Sequence, residues 1–339
     1  MKKISLTLTL IIFAIVFTIG AFALNVEEAF SSEEFAFDGA VMPYRLYVPE
    51  DYNEGNDYPL VVFLHGAGER GKDNDLQLKN AVQTLFDRED GLMAQSIVIA
   101  PQCPEGEQWV DTPWAEGNYS TDLVPESDEL MAVMELISSL KEEYSIDPAR
   151  IYAMGVSMGG FGTWDLIIRH NDVFAAAAPM CGGGDPEKAA SLVETPIYTF
   201  HGTADASVPF EGTEEMVAAI EDEAGRLINF VVYEGEGHGI WEKAAAEDGW
   251  VEWLFSQKLT DRYPALETEP EETTADTEAL PETKADETTP VETNEKENET
   301  NTVEPVEDKG DSFPIWIIPV VAVVIIAIII AVAFVKKKN

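Results

Sequence analysis

Residues 151–168 place an unusual demand on the backbone. Ile-Tyr-Ala-Met is an apolar run of strand character that enters Gly-Val-Ser-Met-Gly-Gly. The segment after it carries Phe161, Trp164, Leu166, Ile167 and Ile168 at helical spacing. A Gly-x-Ser-x-Gly between a strand and a helix requires a sharp corner with the serine at its apex. There the backbone is strained and the hydroxyl stands clear of the chain. Gly155 and Gly159 flank Ser157 because a Cβ at either place would strike the neighbouring strand or helix. A chain that contains this corner needs a buried strand and a packed helix side by side.

The rest of the pattern supplies them. Phe35–Val48 alternates like an antiparallel strand pair, with Asp38-Gly39 as its turn. Continuous apolar runs follow at Leu60–Leu64, Ile97–Ala100, Ile151–Gly155, Phe174–Met180, Ile197–Phe200 and Phe230–Tyr233. Runs without alternation suit strands buried on both faces of a parallel sheet. Helical patterns separate them at Leu76–Phe86, Ser127–Tyr144, Met158–His170, Gly212–Ala224 and Trp241–Gln257. The expected fold is therefore α/β: a mostly parallel, doubly wound sheet with a leading antiparallel pair.

A serine hydroxyl is a weak nucleophile, so Ser157 requires a base and an orienting acid, in the chain order Ser, Asp, His that this corner implies. The four histidines allow elimination. His65 precedes the corner, His170 ends the following helix, and His201 closes an apolar run. His238, in Gly-Glu-Gly-His-Gly after the run at Phe230–Tyr233, has both the order and a flexible loop at a strand end. Asp205, in His-Gly-Thr-Ala-Asp after the run at Ile197–Phe200, is the matching acid. The oxyanion donors expected are the N–H of Met158 and that of Ala67, in the Gly-rich loop 65–71. That loop lacks the Gly-Lys-Ser/Thr and Gly-x-Gly-x-x-Gly patterns of phosphate cradles. Glu69 and Arg70 either brace it or touch substrate.

These residues resemble those of the α/β-hydrolase superfamily, in particular its secreted esterase and predicted-peptidase branch, related to prolyl oligopeptidase and dienelactone hydrolase. The resemblance rests on His-Gly-Ala-Gly-Glu-Arg-Gly (65–71), Ala-Pro-Gln-Cys-Pro (100–104), Gly-Val-Ser-Met-Gly-Gly (155–160), Pro-Met-Cys-Gly-Gly-Gly-Asp (179–185), His-Gly-Thr-Ala-Asp (201–205) and Gly-His (237–238). It spans residues 35–260 and implies a serine hydrolase of acetyl, feruloyl or similar carboxylic esters. A serine peptidase of the prolyl-oligopeptidase type is the alternative, although the segment before His65 is too short for a propeller domain. A non-catalytic surface binding module is the other.

Both ends carry sorting signals. Lys2-Lys3, an apolar stretch and Ala21-Phe22-Ala23 read as a signal peptide over residues 1–23. The catalytic domain is expected over 24–262. Residues 263–312 hold 17 acidic and 3 basic residues with almost no large apolar ones, the composition of a disordered stalk. A flexible coil of that length averages roughly 40 Å end to end. Residues 313–335 read as a transmembrane helix and 336–339 as a basic cytoplasmic tail, which places the enzyme outside the cell membrane. The formal charge of −42 is shared by the domain, where 46 acidic residues face 13 basic ones. Such a surface repels phosphate and excludes nucleic acid as a partner.

Cys103 and Cys181 end strands expected to have two others between them, about 14 Å across the sheet, which favours free thiols near the cleft. No Cys/His spacing of a metal site is present, and neither a metal nor a cofactor is expected. The loop 102–125 is long for a simple connection and carries Trp109, Trp114 and Tyr119. Trp109 and Trp114, with Glu69, are candidate contacts to an ester carried on a small molecule or a polysaccharide. Packing of the loop onto the domain is the other reading of the two tryptophans.

Overall fold

A computed structural model describes residues 24–263. The expected leader, the stalk beyond Tyr263, the apolar helix and the basic tail lie outside the described residues. Among the described residues no helix is long and apolar enough to cross a membrane.

Among the described residues eight strands form one sheet: β1 (Ser31–Phe37), β2 (Ala40–Tyr47), β3 (Tyr58–Leu64), β4 (Ile97–Pro101), β5 (Ile146–Val156), β6 (Ala176–Met180), β7 (Ile197–Gly202) and β8 (Ile228–Tyr233). Their order across the sheet is β1-β2-β4-β3-β5-β6-β7-β8. β1 pairs antiparallel with β2 around the Asp38-Gly39 turn, and β2 pairs antiparallel with β4. Every later pairing is parallel. The helices are α1 (Val26–Ala29), α2 (Val82–Phe86), α3 (Asp128–Glu143), α4 (Met158–Arg169), α5 (Phe210–Asp222), α6 (Trp241–Ala246), α7 (Trp250–Phe255) and α8 (Leu259–Arg262).

The continuous apolar runs have the physical origin expected of them. Successive side chains of a strand point to opposite faces. In β3, Leu60, Val62 and Leu64 join a core with Leu136 and Ile137 of α3 and Trp164 of α4, whereas Val61 and Phe63 join one with Leu85 of α2 and Trp250 of α7. Both faces are covered, which is why Leu60–Leu64 is apolar throughout.

Two helices expected to be continuous are broken. Within 76–86, a 3-10 turn at Leu76–Leu78 precedes α2, because Asn80 and Ala81 adopt φ of 54° and 66°. Their polar groups are drawn elsewhere: Asn80 Nδ2 donates to Glu69 Oε1, and Ala81 N–H donates to Glu242 Oε1. Within 241–257, Gly249 at φ 81° separates α6 from α7. Arg88 Nη1 donates to the Ala245 and Glu247 carbonyls, which are thereby withdrawn from a continuing helix.

Candidate active site

β5 delivers Ser157 at its C-terminal end, and α4 begins one residue later. Ser157 has φ 57° and ψ −118°, the strained corner that the sequence demands. The glycines on either side are required by contact. A Cβ on Gly159 would stand 1.9 Å from the Leu64 carbonyl oxygen, and one on Gly155 would stand 2.4 Å from the Gly159 carbonyl oxygen. The corner is tied down by the Ser157 N–H, which donates to the Met180 carbonyl at 2.8 Å.

Three side chains from three strand ends meet here. Ser157 Oγ lies 2.7 Å from His238 Nε2, on the loop after β8. His238 Nδ1–H donates to Asp205 Oδ2 at 2.6 Å, on the loop after β7. That bond fixes the tautomer, so Nε2 carries the lone pair and accepts the hydrogen bond of the Ser157 hydroxyl. Asp205 Oδ1 accepts the N–H groups of Ser207 and Val208 at 2.8 and 2.9 Å. Burial alone would raise this carboxyl's pKa, but donors from His201, His238, Val208 and Ser207 outweigh it and hold the group well below the usual carboxylate range.

Two backbone amides lie next to the corner in the fold, one on each of the elements that meet there. Met158 is the first residue of α4 and Ala67 the first of the 3-10 turn Ala67–Glu69, so neither N–H has an acceptor within its own helical turn. The loop is pressed against the serine: a Cβ on Gly66 would lie 3.5 Å from Ser157 Cβ. Arg70 braces it, with Nε donating to the Ala67 carbonyl at 2.9 Å and Nη1 to the Glu107 carbonyl at 3.1 Å. Glu69 does two things. Its carboxylate holds Asn80, and it lines the cleft; burial raises its pKa.

His65 is a structural histidine. Nδ1–H donates to the Gly66 carbonyl at 2.6 Å, and Nε2 accepts the Cys103 N–H at 3.0 Å. Burial pushes its pKa down to about 4, so the neutral ring is the form held in place. His170 pairs with Glu126 at 2.6 Å on the far end of α4, away from the serine.

The cleft beside Ser157 has a volume of about 320 Å³, and its walls include Glu69, Asn80, Trp114, Val208, His238 and Trp241. Trp114 is half-buried, with the Arg70 guanidinium 5.9 Å from its ring centroid. Trp109 does not reach the cleft, which corrects its assignment as a substrate contact. It is fully buried, its Nε1–H donates to the His65 carbonyl at 3.0 Å, and it fills the slot left by Gly162. Tyr119 is likewise buried, with its hydroxyl donating to Asp165 Oδ1 at 2.8 Å. Loop 102–125 therefore spends two of its three aromatic rings on its own anchorage. Sequence reasoning missed Trp241, whose ring meets the His238 ring edge-on with centroids 5.4 Å apart. Its position three residues after His238 was the available signal.

Both cysteines are free and buried, and burial raises each thiol's pKa. Cys181 lies at the site: its Sγ, an Asp205 oxygen and a His238 ring nitrogen fall within 4.8 Å of one another. Those atoms are already engaged, the thiol with the His238 carbonyl and the other two with each other.

The family profile described as Esterase matches residues 38–318. Among curated proteins, the chain is 31% identical over 126 residues to poly(3-hydroxyalkanoate) depolymerase C of Paucimonas lemoignei, covering 37% of this chain and 28% of that one. It is 27% identical over 186 residues to the bifunctional acetylxylan esterase/xylanase XynS20E of Neocallimastix patriciarum, covering 55% of this chain and 24% of that one. The chain thus spans about a quarter of the length of each of these relatives. A crystal structure of a thermostable esterase superposes with a TM-score of 0.62 at 36% identity, covering 69% of this chain and 64% of that one. With the serine corner at the sheet's C-terminal edge and these likenesses together, the chain belongs to the Esterase family of α/β-hydrolases.

Proposed function

We propose that the chain is a membrane-anchored, extracellular carboxylic-ester hydrolase that works through Ser157, His238 and Asp205. The observation that carries this reading is the continuous hydrogen-bonded chain from Ser157 Oγ through the His238 ring to Asp205. Nε2 of His238 takes the hydroxyl proton as Oγ attacks the ester carbonyl carbon. The oxygen that becomes negative is received by the Met158 and Ala67 N–H groups. Collapse of the intermediate releases the alcohol, which takes the proton back from His238. Water, activated by the same nitrogen, then releases the acid and restores the serine. Asp205 stays ionised throughout and stabilises the imidazolium.

The acid or alcohol part of the substrate would lie between Trp114 and Trp241, walls suited to a flat ring or a sugar face. This is compatible with the acetylxylan and hydroxyalkanoate esters in the names of the relatives, and with feruloyl esters. The dense negative charge of the domain favours neutral esters over anionic ones.

Ser157→Ala tests the reading. Hydrolysis of a chromogenic short-chain ester should fall by roughly a thousandfold or more, with the fold intact. A fluorophosphonate should label the wild type and leave the variant unlabelled. Wild-type turnover by Ser157→Ala would end it.

A further inference from the structure

We propose that His201 is a positioning residue for this site: its Nε2–H is a second donor to Asp205 Oδ2, and it sets how firmly Asp205 holds a proton on His238. The inference rests on the triad reading above and adds a fourth side chain to it.

His201 lies at the end of β7, fully buried, four residues before Asp205. Its Nε2 is 3.1 Å from Asp205 Oδ2 and 3.2 Å from the Val208 carbonyl oxygen. Both neighbours are acceptors, so Nε2 carries a hydrogen whatever the state of the rest of the ring. The other nitrogen, Nδ1, is 2.7 Å from Thr213 Oγ1, and that hydroxyl is also 2.7 Å from the Gly182 carbonyl oxygen. A hydroxyl can donate to Nδ1 or accept from it, so Nδ1 places no constraint on the ring. The tautomer is therefore decided at the acid. The ring also bridges both ends of the 205–208 loop, joining Asp205 and Val208, and α5 holds it through Thr213 and the edge of Phe210.

The consequence is a division of charge. Asp205 Oδ2 receives His238 Nδ1–H and His201 Nε2–H together, while its Oδ1 is occupied by two backbone amides. A second donor to the same oxygen stabilises the carboxylate charge on its own account and so lowers that oxygen's basicity toward the first donor. Among the described residues, the titratable groups facing this carboxylate are the two imidazoles and the Cys181 thiol, and α5 brings Thr213 and Phe210 to the His201 ring. Removing the His201 donor leaves Asp205 to hold the His238 imidazolium more tightly. The catalytic base then protonates at higher pH and returns its proton to the leaving group less readily.

Nitrogen NMR of the histidine-labelled full chain tests this without a variant, since only four rings contribute. His201 should show its proton on Nε2 from mildly acidic to alkaline pH. A His201 ring protonated on Nδ1 alone would overturn the inference. Kinetics add a readout that mere support of the fold would leave unmoved. After active-site titration, His201→Leu should lower kcat roughly tenfold to a hundredfold with little change in KM. Its acid limb should move about half to one pH unit upward, a three- to tenfold change in proton affinity. His201→Gln, which keeps an N–H donor, should restore the wild-type limb. An unmoved limb in folded His201→Leu would also sink the proposal. An active Ser157→Ala protein would overturn the triad and this inference with it. An inactive one beside an Nδ1-protonated His201 would overturn this inference alone.

Discussion

At the scale of single residues, the site separates roles by how each group is held. Ser157 is held by backbone strain, and His238 by one carboxylate on a loop that leaves its side chain partly exposed. Asp205 is held by four donors, so its anionic state does not depend on His238 alone. From this asymmetry, His238→Ala should cost as much ester hydrolysis as Ser157→Ala, because one removes the nucleophile's activation and the other the nucleophile itself. Asp205→Asn should cost a similar amount or less, through loss of tautomer control at Nδ1, with the labelling of Ser157 by fluorophosphonate slowed in parallel. Steady-state rates on one ester for the three variants decide the ranking. Near-normal activity of His238→Ala would remove it as the base.

At the scale of elements, close backbone approach does what side chains do elsewhere. β3, β5 and the first turn of α4 touch through Leu64, Gly155 and Gly159, and no side chain fits between them. Gly159→Ala should therefore destabilise the fold by about 3 kcal/mol or more, measured as a lower urea midpoint. A midpoint equal to that of wild type would show that the corner can relax. The loops are joined by His65, whose proton balance gives the fold a pH dependence of its own. Its pKa is about 4 in the folded protein against 6.5 for a free histidine, so the unfolded chain binds the extra proton between those values. Stability from the neutral ring is therefore complete above pH 6.5 and is lost as pH falls toward 4, an amount of about 3 kcal/mol in all. At about pH 5, before most carboxylates titrate, about 2 kcal/mol of it is gone. His65→Gln should be less stable than wild type at neutral pH but should lose less between pH 7 and 5. Parallel slopes for the two proteins would place the acid sensitivity elsewhere.

At the scale of the whole molecule, the proposed tether makes a prediction about where the domain ends. Leu259 is buried, and Arg262 donates to the Phe174 and Asn171 carbonyls and to Thr195 Oγ1. A chain cut after Tyr263 should keep these contacts and remain active in solution. One cut after Gln257 should lose them and unfold at lower temperature. The full chain should sediment with membranes and resist salt washing, because a spanning helix is held by hydrocarbon and not by charge. Protease added to intact cells should release the catalytic domain by cutting within 263–312. A domain protected until lysis would reverse the proposed topology.

What was legible in the chain was whatever local chemistry dictates. Continuous apolar runs announce strands covered on both faces. Asp38-Gly39 announces a hairpin, and glycines around Ser157 announce a corner, because each expresses a steric or solvation rule acting over a few residues. The order Ser157, Asp205, His238 was legible for a related reason: loops at one sheet edge follow from parallel strands joined by helices. Tertiary contact decided the rest. Whether the aromatic rings of loop 102–125 meet substrate or pack the loop down is open in the sequence; the space left by Gly162 and the carboxylate of Asp165 draw Trp109 and Tyr119 inward. The helix expected over 76–86 breaks because Glu69 and Glu242, distant in sequence, compete for its polar groups. The two histidines on Asp205 are distinguished only by which acceptors surround each ring nitrogen, a matter of packing across three loops that no spacing along the chain encodes.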